Sequence, residues 1–180
     1  MPPNAHTLTL IANGVGLVAV VLFVASYQMK RRSGIILCNA VSRTLYILQY
    51  ILLGAFSGAV LDVIGLISSV LAAKKDARVI KKLRVPILIL INLAMLIATL
   101  LLYKTPWDIL PLIGVLLHTT AFWLTDEKKI RALSILGSPF WLAYNAHSLA
   151  FGSAAGDLFT IISIGIAILR YDVLKRKKDA

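Results

Sequence analysis

The chain has 180 residues, 59% of them hydrophobic, with a mean hydropathy of +0.85 and a formal net charge of +11. Its few polar side chains cannot cover the surface of a water-soluble domain this apolar, so lipid must be the solvent for its outer faces. The charge does not point to nucleic acid: the basic residues form short clusters between apolar runs, with no basic helix or aromatic-interleaved patch to follow a phosphate backbone.

Runs of about 18–22 apolar residues cross the hydrocarbon core of a bilayer, and seven such runs are predicted. The first, Leu8–Met29, follows a segment without Lys or Arg, so it lacks the basic start of a signal peptide and reads as a true span. Lys30, Arg31 and Arg32 follow it. The second, Gly34–Gly54, carries Asn39, Ser42, Arg43, Tyr46, Gln49 and Tyr50 at spacings of three and four, which puts them on one helix face. After a break between Gly54 and Gly58, the third run, Phe56–Ala73, holds Asp62. A basic loop with Lys74, Lys75, Arg78, Lys81, Lys82 and Arg84 leads to the fourth run, Val85–Tyr103, where Asn92 is read as a packing residue.

Thr105-Pro106 breaks the chain before the fifth run, Pro106–Leu124, and Lys128, Lys129 and Arg131 follow that run. The sixth is Ile130–Ala150, and a break at Gly152-Ser153 separates it from the seventh, Gly152–Leu169, which holds Asp157. A basic tail, residues 170–180, ends the chain with Arg170, Lys175, Arg176, Lys177 and Lys178. Spans two and three, and spans six and seven, are so closely joined that each pair must be a tight antiparallel hairpin.

With seven spans, 17 of the 19 basic residues fall on one side, leaving Lys104 opposite and Arg43 inside span two. The positive-inside rule then puts the N-terminus outside and the C-terminus in the cytoplasm. Asp62 and Asp157 are 95 positions apart, and the same shift carries the polar stripe of span two onto Ser134, Gly137, Ser138, Trp141, Tyr144 and Asn145 of span six. Leu17, Val20 and Leu22 likewise meet Leu112, Val115 and Leu117, and Phe56, Ile67 and Ser68 meet Phe151, Ile162 and Ser163. Polar residues are scarce in such helices, so matching stripes point to an internal duplication. The predicted fold is therefore an all-α membrane protein of two parallel three-helix repeats, residues 8–73 and 106–169, joined by a linker helix at 85–103. That is the arrangement of sugar transporters of the SWEET type, with a site at the midplane between repeats.

The stretches "GVGLVAVVLFVASYQMKRRSGIIL", "YILQYILLGAFSGAVLDVIG" and "WDILPLIGVLLHTTAFWL" together resemble the bacterial YgjV-type inner membrane proteins, over roughly Asn13 to Tyr171. More distantly the layout is similar to SWEET, semiSWEET and PQ-loop transporters. Tyr27-Gln28 before "MKRRSG" resembles their Pro-Gln turn, but the proline is absent and Trp123 stands at the position shifted from Gln28. The resemblance implies that Asp62 and Asp157, on the third helix of each repeat, line a solute cavity.

A charge in mid-membrane costs roughly 2.5–3.5 kcal/mol on insertion scales, so both acids should face protein or water. The face of Asp62 also offers Gly58, Gly65 and Ser69, and that of Asp157 offers Ser153 and Thr160. Each acid is read either as a hydrogen-bonding residue holding its triplet together or as part of a cavity on the pseudo-two-fold axis. At about 1.5 Å rise per residue, Arg43 lies about 14 Å and Asp62 about 17 Å from the basic side, close enough to pair. Ser138 takes Arg43's place in the second repeat and leaves Asp157 the less compensated acid, the candidate for proton or cation coupling. Asn39, Tyr46, Ser138, Trp141, Tyr144 and Asn145 complete the candidate lining; the aromatics either stack on a planar or sugar-like solute or simply pack. His118 and His147 are read either as titrating groups or, more commonly for a lone histidine, as hydrogen-bonded bystanders.

No nucleophile elbow, HExxH, CxxC or phosphate-cradling glycine motif supports an enzyme. Nothing between Lys129 and Lys175 supplies the Schiff-base lysine of a retinal receptor, and Cys38 is a single cysteine with no partner for a disulfide or metal site. No cofactor is expected. The expected partners are the lipid bilayer and a small polar solute, with proton coupling and homo-oligomerisation both left open. A seven-helix receptor or scaffold without transport activity is the alternative.

Overall fold

The computed structural model describes residues 3–27, 32–124 and 126–174. Among them every regular element is helical: α1 Pro3–Tyr27, α2 Arg32–Leu52, α3 Phe56–Ala73, α4 Arg78–Lys82, α5 Arg84–Leu102, α6 Ile109–Trp123, α7 Glu127–His147 and α8 Phe151–Ala167. A 3-10 turn, Pro106–Asp108, leads into α6, and a π-helical stretch, Ile168–Leu174, continues α8. Four stretches are long and apolar enough to cross a membrane: His6–Ala25, Phe56–Ala73, Arg84–Leu102 and Phe151–Arg170. The helices of the other three expected spans differ from these in kind: α2 and α7 have 21 residues each but carry the polar stripes, and α6 has only 15. Leu90, Leu100 and Leu101 of α5 are two-thirds or more exposed, a surface suited to hydrocarbon.

Local chemistry sets the helix ends. Asp126 caps α7 by accepting from the backbone N–H groups of Lys128 and Lys129. The loop expected between spans three and four contains α4, a single turn and a half of helix that no apolar period announces.

The α2–α3 and α7–α8 turns are copies of one another. Each ends its helix in a Schellman motif, with Gly54 at φ 70° and Leu149 at φ 58° in the left-handed position. Ala55 donates to Tyr50 at 2.8 Å and Ala150 to Asn145 at 2.9 Å; Gly54 donates to Ile51 at 3.1 Å and Leu149 to Ala146 at 3.3 Å. Ala55 and Ala150 then have φ, ψ of −85°, 61° and −83°, 60°. The second turn therefore lies at Ser148–Ala150, three to four residues before the expected break at Gly152-Ser153, which is inside α8. Glycine adopts φ > 0 freely and leucine does not, so the sequence signals the first turn better than the second.

Six helices pack into a closed ring in the order α1, α2, α3, α6, α7, α8 and back to α1, while α5 lies outside against α3 and α6. Exchanging α1–α3 with α6–α8 leaves that neighbour list unchanged. Close approach needs small residues. A Cβ on Gly152 of α8 would fall 2.9 Å from the backbone of Gly16 on α1, and one on Gly114 of α6 would fall 3.1 Å from the Gly137 carbonyl on α7. At the basic end, Lys75 donates to the Leu124 carbonyl at 2.7 Å and Arg84 to that of Trp123, satisfying the orphan carbonyls that end α6. Trp123 is buried there and donates to Ser68 Oγ at 3.1 Å.

Candidate functional site

Inside the ring a cavity of about 40 Å³ is lined by both mid-helix acids, Asp62 and Asp157, together with Arg43, Tyr46, Tyr50, Trp141 and Asn145. Arg43 Nη1 donates to Asp62 Oδ1 at 2.6 Å, and both side chains are buried. The guanidinium lies on Gly65, where a Cβ would come within 2.7 Å of Nη1. Asp157 has no such cation. Its Oδ2 accepts from Asn145 Nδ2 at 2.6 Å, and Asn145 Oδ1 in turn accepts from the Tyr50 hydroxyl at 2.7 Å.

Bonds between the triplets follow the same 95-residue interval. Tyr50 and Asn145 are themselves equivalent positions and bond each other. The Gly58 N–H donates to the Tyr144 hydroxyl at 2.9 Å, and at the equivalent positions Ser153 Oγ donates to Gln49 Oε1 at 2.5 Å. Ser57 Oγ donates to Asp108 Oδ1 at 2.7 Å, and the Gly152 N–H to Asn13 Oδ1 at 3.3 Å.

Not every expected site residue reaches the cavity. Asn39 is on α2, but its side chain lies outside the described residues, as does Gln28. Ser138 is buried and donates to the Ser134 carbonyl at 2.9 Å, away from the cavity wall. Tyr46 and Trp141 do line it, and the aromatics pack on one another. Phe23 and Tyr46 meet edge to face at 6.3 Å, Tyr50 and Trp141 stack at 6.2 Å, and Tyr144 meets both of the latter edge to face.

Tyr144 belongs instead to a second cavity of about 310 Å³ at the end of the bundle away from the basic clusters, between the Leu53–Ser57 turn and the Lys104–Asp108 segment. Trp107 and His147 stack there, with ring centroids 4.4 Å apart. Tyr144 lines the outer cavity and its ring meets the axial aromatics, so it forms part of the partition between the two spaces.

Asp108, in the 3-10 turn ahead of α6, holds this outer end together. Burial pushes its carboxyl up, but donors from Ser57, from the Thr105 and Lys104 backbone and from the Thr105 hydroxyl outweigh it and hold the group below the ordinary carboxylate range. A carboxylate with a depressed folded pKa adds stability above its unfolded value and loses it as pH falls through the folded value. Acidification below about pH 4 is thus expected to loosen this turn, and Asp108→Asn to remove that part of the acid sensitivity. Hydrogen exchange of the Lys104–Asp108 amides across pH 7 to 3 checks it; identical acid profiles for both proteins would contradict it.

A family model described as a bacterial inner membrane protein, Imp-YgjV, matches residues 10–175. The chain belongs to the Imp-YgjV family. No curated protein and no solved structure matches it. The match runs through all eight helices and both acids, and the family's description agrees with the apolar helices in placing the protein in the bacterial inner membrane.

Three features of this Imp-YgjV protein's site were not legible from its residue types. His118 was read as a bystander, yet it lines the axial cavity, with its Nε2–H donating to the Ser134 carbonyl at 2.9 Å. Phe23 lines it as well, and Phe23 and His118 are 95 positions apart, so the repeat interval was the signal that could have found them. The third is Thr160 Oγ1, which is buried and has no hydrogen-bond partner among the described residues.

Proposed function

We propose that this protein is a transporter that passes a small polar solute through the axial cavity by alternating access. The moving units are two parallel three-helix repeats, α1–α3 and α6–α8, with α5 as the linker that lets the second start in the orientation of the first. In this reading seven helices cross the membrane, the N-terminus is outside and the C-terminus cytoplasmic.

One observation carries the proposal: the hydrogen bond between Tyr50 and Asn145, equivalent residues of the two triplets, beside an acid from each. Contact between equivalent positions is what a two-fold axis produces, and an axis between parallel repeats is where solute sites of such transporters lie. The cavity of about 40 Å³ has room for roughly two or three waters, so in this reading the triplets part to admit a larger solute. The outer cavity of about 310 Å³ is the natural antechamber, with Tyr144 between the two. The same small axial volume and its packed aromatics favour a second reading, a receptor or scaffold of this architecture that moves no solute.

Two measurements test the proposal. Reporter fusions are expected to place Ser57 outside and the Lys74–Arg84 loop inside; termini on the same side would remove the seventh span and with it the parallel repeats. Vesicles reconstituted with purified protein are then expected to take up small polar solutes from a screened panel. Binding of a partner without flux of any solute would leave the receptor reading instead.

A further inference from the structure

The two halves of the axial site differ at three matched positions. On α3 the face of the acid reads Gly58, Asp62, Gly65; on α8 it reads Ser153, Asp157, Thr160. The α3 glycines are occupied by large side chains, Tyr144 over Gly58 and the Arg43 guanidinium over Gly65. In the second half the position matching Arg43 is Ser138 of α7, whose short side chain is bonded to Ser134 and brings no cation to Asp157. Among the described residues no donor reaches Asp157 Oδ1 and no partner reaches the Thr160 hydroxyl, although Thr160 is 96% buried, its relative exposure being 4%. Both residues line the same cavity one helical turn apart.

We infer that Asp157 and Thr160 bind a small monovalent cation, an alkali or ammonium ion, in the place that the Arg43 guanidinium fills in the first half. The inference rests on the repeat reading given above and assigns the charge class of the ligand. Its reasons are charge, chemistry and size. The charge-bearing groups facing the cavity are Arg43, Asp62 and Asp157, and the first two pair with each other, so an ionised Asp157 has no internal counter-ion among the described residues. His118 faces the cavity as a hydrogen-bond donor to a carbonyl, and Tyr50 and Asn145 are already committed to each other. A carboxylate oxygen and a hydroxyl are hard oxygen ligands, suited to an alkali ion and able to accept from ammonium. A cavity of about 40 Å³ admits such an ion with a water or two and excludes an organic cation the size of choline.

The test is thermal unfolding of the purified full-length protein in neutral detergent, at fixed pH and ionic strength, with choline chloride replaced stepwise by sodium, potassium or ammonium chloride. At least one of the three is expected to raise the melting temperature saturably over choline. Asp157→Asn is expected to abolish the rise. Thr160→Val, which keeps the shape and removes the oxygen, is expected to shift the half-saturating concentration up by about tenfold or more. If Asp157→Asn does not fold, the Thr160→Val titration decides alone. Identical melting curves in all four salts would overturn the site, as would a response that survives both substitutions. Stability that follows pH but not the cation would assign Asp157 to a proton alone and overturn it equally. No flux enters this measurement, so a protein that binds the ion and moves nothing refutes the transport reading, whereas one that transports without a salt response refutes only the cation site.

Discussion

Arg43→Met is expected to destabilise the protein by about 3–5 kcal/mol, the cost of leaving one member of a buried ion pair without its partner. The Arg43–Asp62 contact is 2.6 Å long, between side chains that are each less than a tenth exposed. Removing the cation leaves a carboxylate inside a helix bundle with no other charged donor on it among the described residues. Asp62→Asn has the converse effect, because the amide cannot compensate the guanidinium that lies against Gly65. Replacing both members together, Arg43→Met with Asp62→Leu, is expected to recover most of the loss, since the penalty belongs to the unpaired charge. Unfolding of the three variants in mixed detergent measures all of this. Single-variant losses below about 1 kcal/mol would mean that water reaches the pair and screens it as it does a surface bridge.

Asp157→Asn is expected to behave in the opposite way, keeping the fold and, on the proposed transport reading, losing flux. The substitution preserves shape, and its amide oxygen can still accept from Asn145 Nδ2, so the chain of bonds from Tyr50 through Asn145 survives. What disappears is the one cavity acid that has no cationic partner among the described residues. In reconstituted vesicles the solute flux is expected to fall by about tenfold or more and its pH profile to flatten, as befits loss of an intramembrane coupling acid. The other titratable groups around the cavity are Asp62, tied to Arg43, His118, and the hydroxyls of Tyr46 and Tyr50. A pH profile that persists unchanged in the variant would pass the coupling role to one of those, His118 first.

Much of this arrangement was written in residue spacing. The boundaries of α3 coincide with the apolar run Phe56–Ala73, because that run is broken only by Asp62 and three serines and ends in a pair of lysines. The pairing of Arg43 with Asp62 followed from counting 1.5 Å steps from the basic side. Other features were hidden for physical reasons. Leu149 has no marker of a left-handed residue, and only the matching Gly54 gives that turn away. α4 is too short to show a period. Ser138 and Tyr144 belong to the same polar stripe as Asn145, yet a stripe 100° wide faces two neighbours at once, and the rotation of α7 turns Tyr144 toward the outer cavity and Ser138 toward His118. Spacing identifies a face; only packing tells which part of it meets the axis.

The lone arginine beside two aspartates has a consequence for how such a molecule can arise. Two identical three-helix chains meeting about a true dyad would present every side chain in duplicate. Their central charge could only be even: zero with an arginine on each acid, or minus two with none. A core carrying a single negative charge is open only to halves encoded separately, as positions 43 and 138 are here by Arg and Ser. On the reading proposed above, joining the halves through α5 would do more than tether them: it would let one acid pair with a fixed internal arginine and leave the other to an exchangeable ion, a division of labour that no homodimer of the same unit can encode.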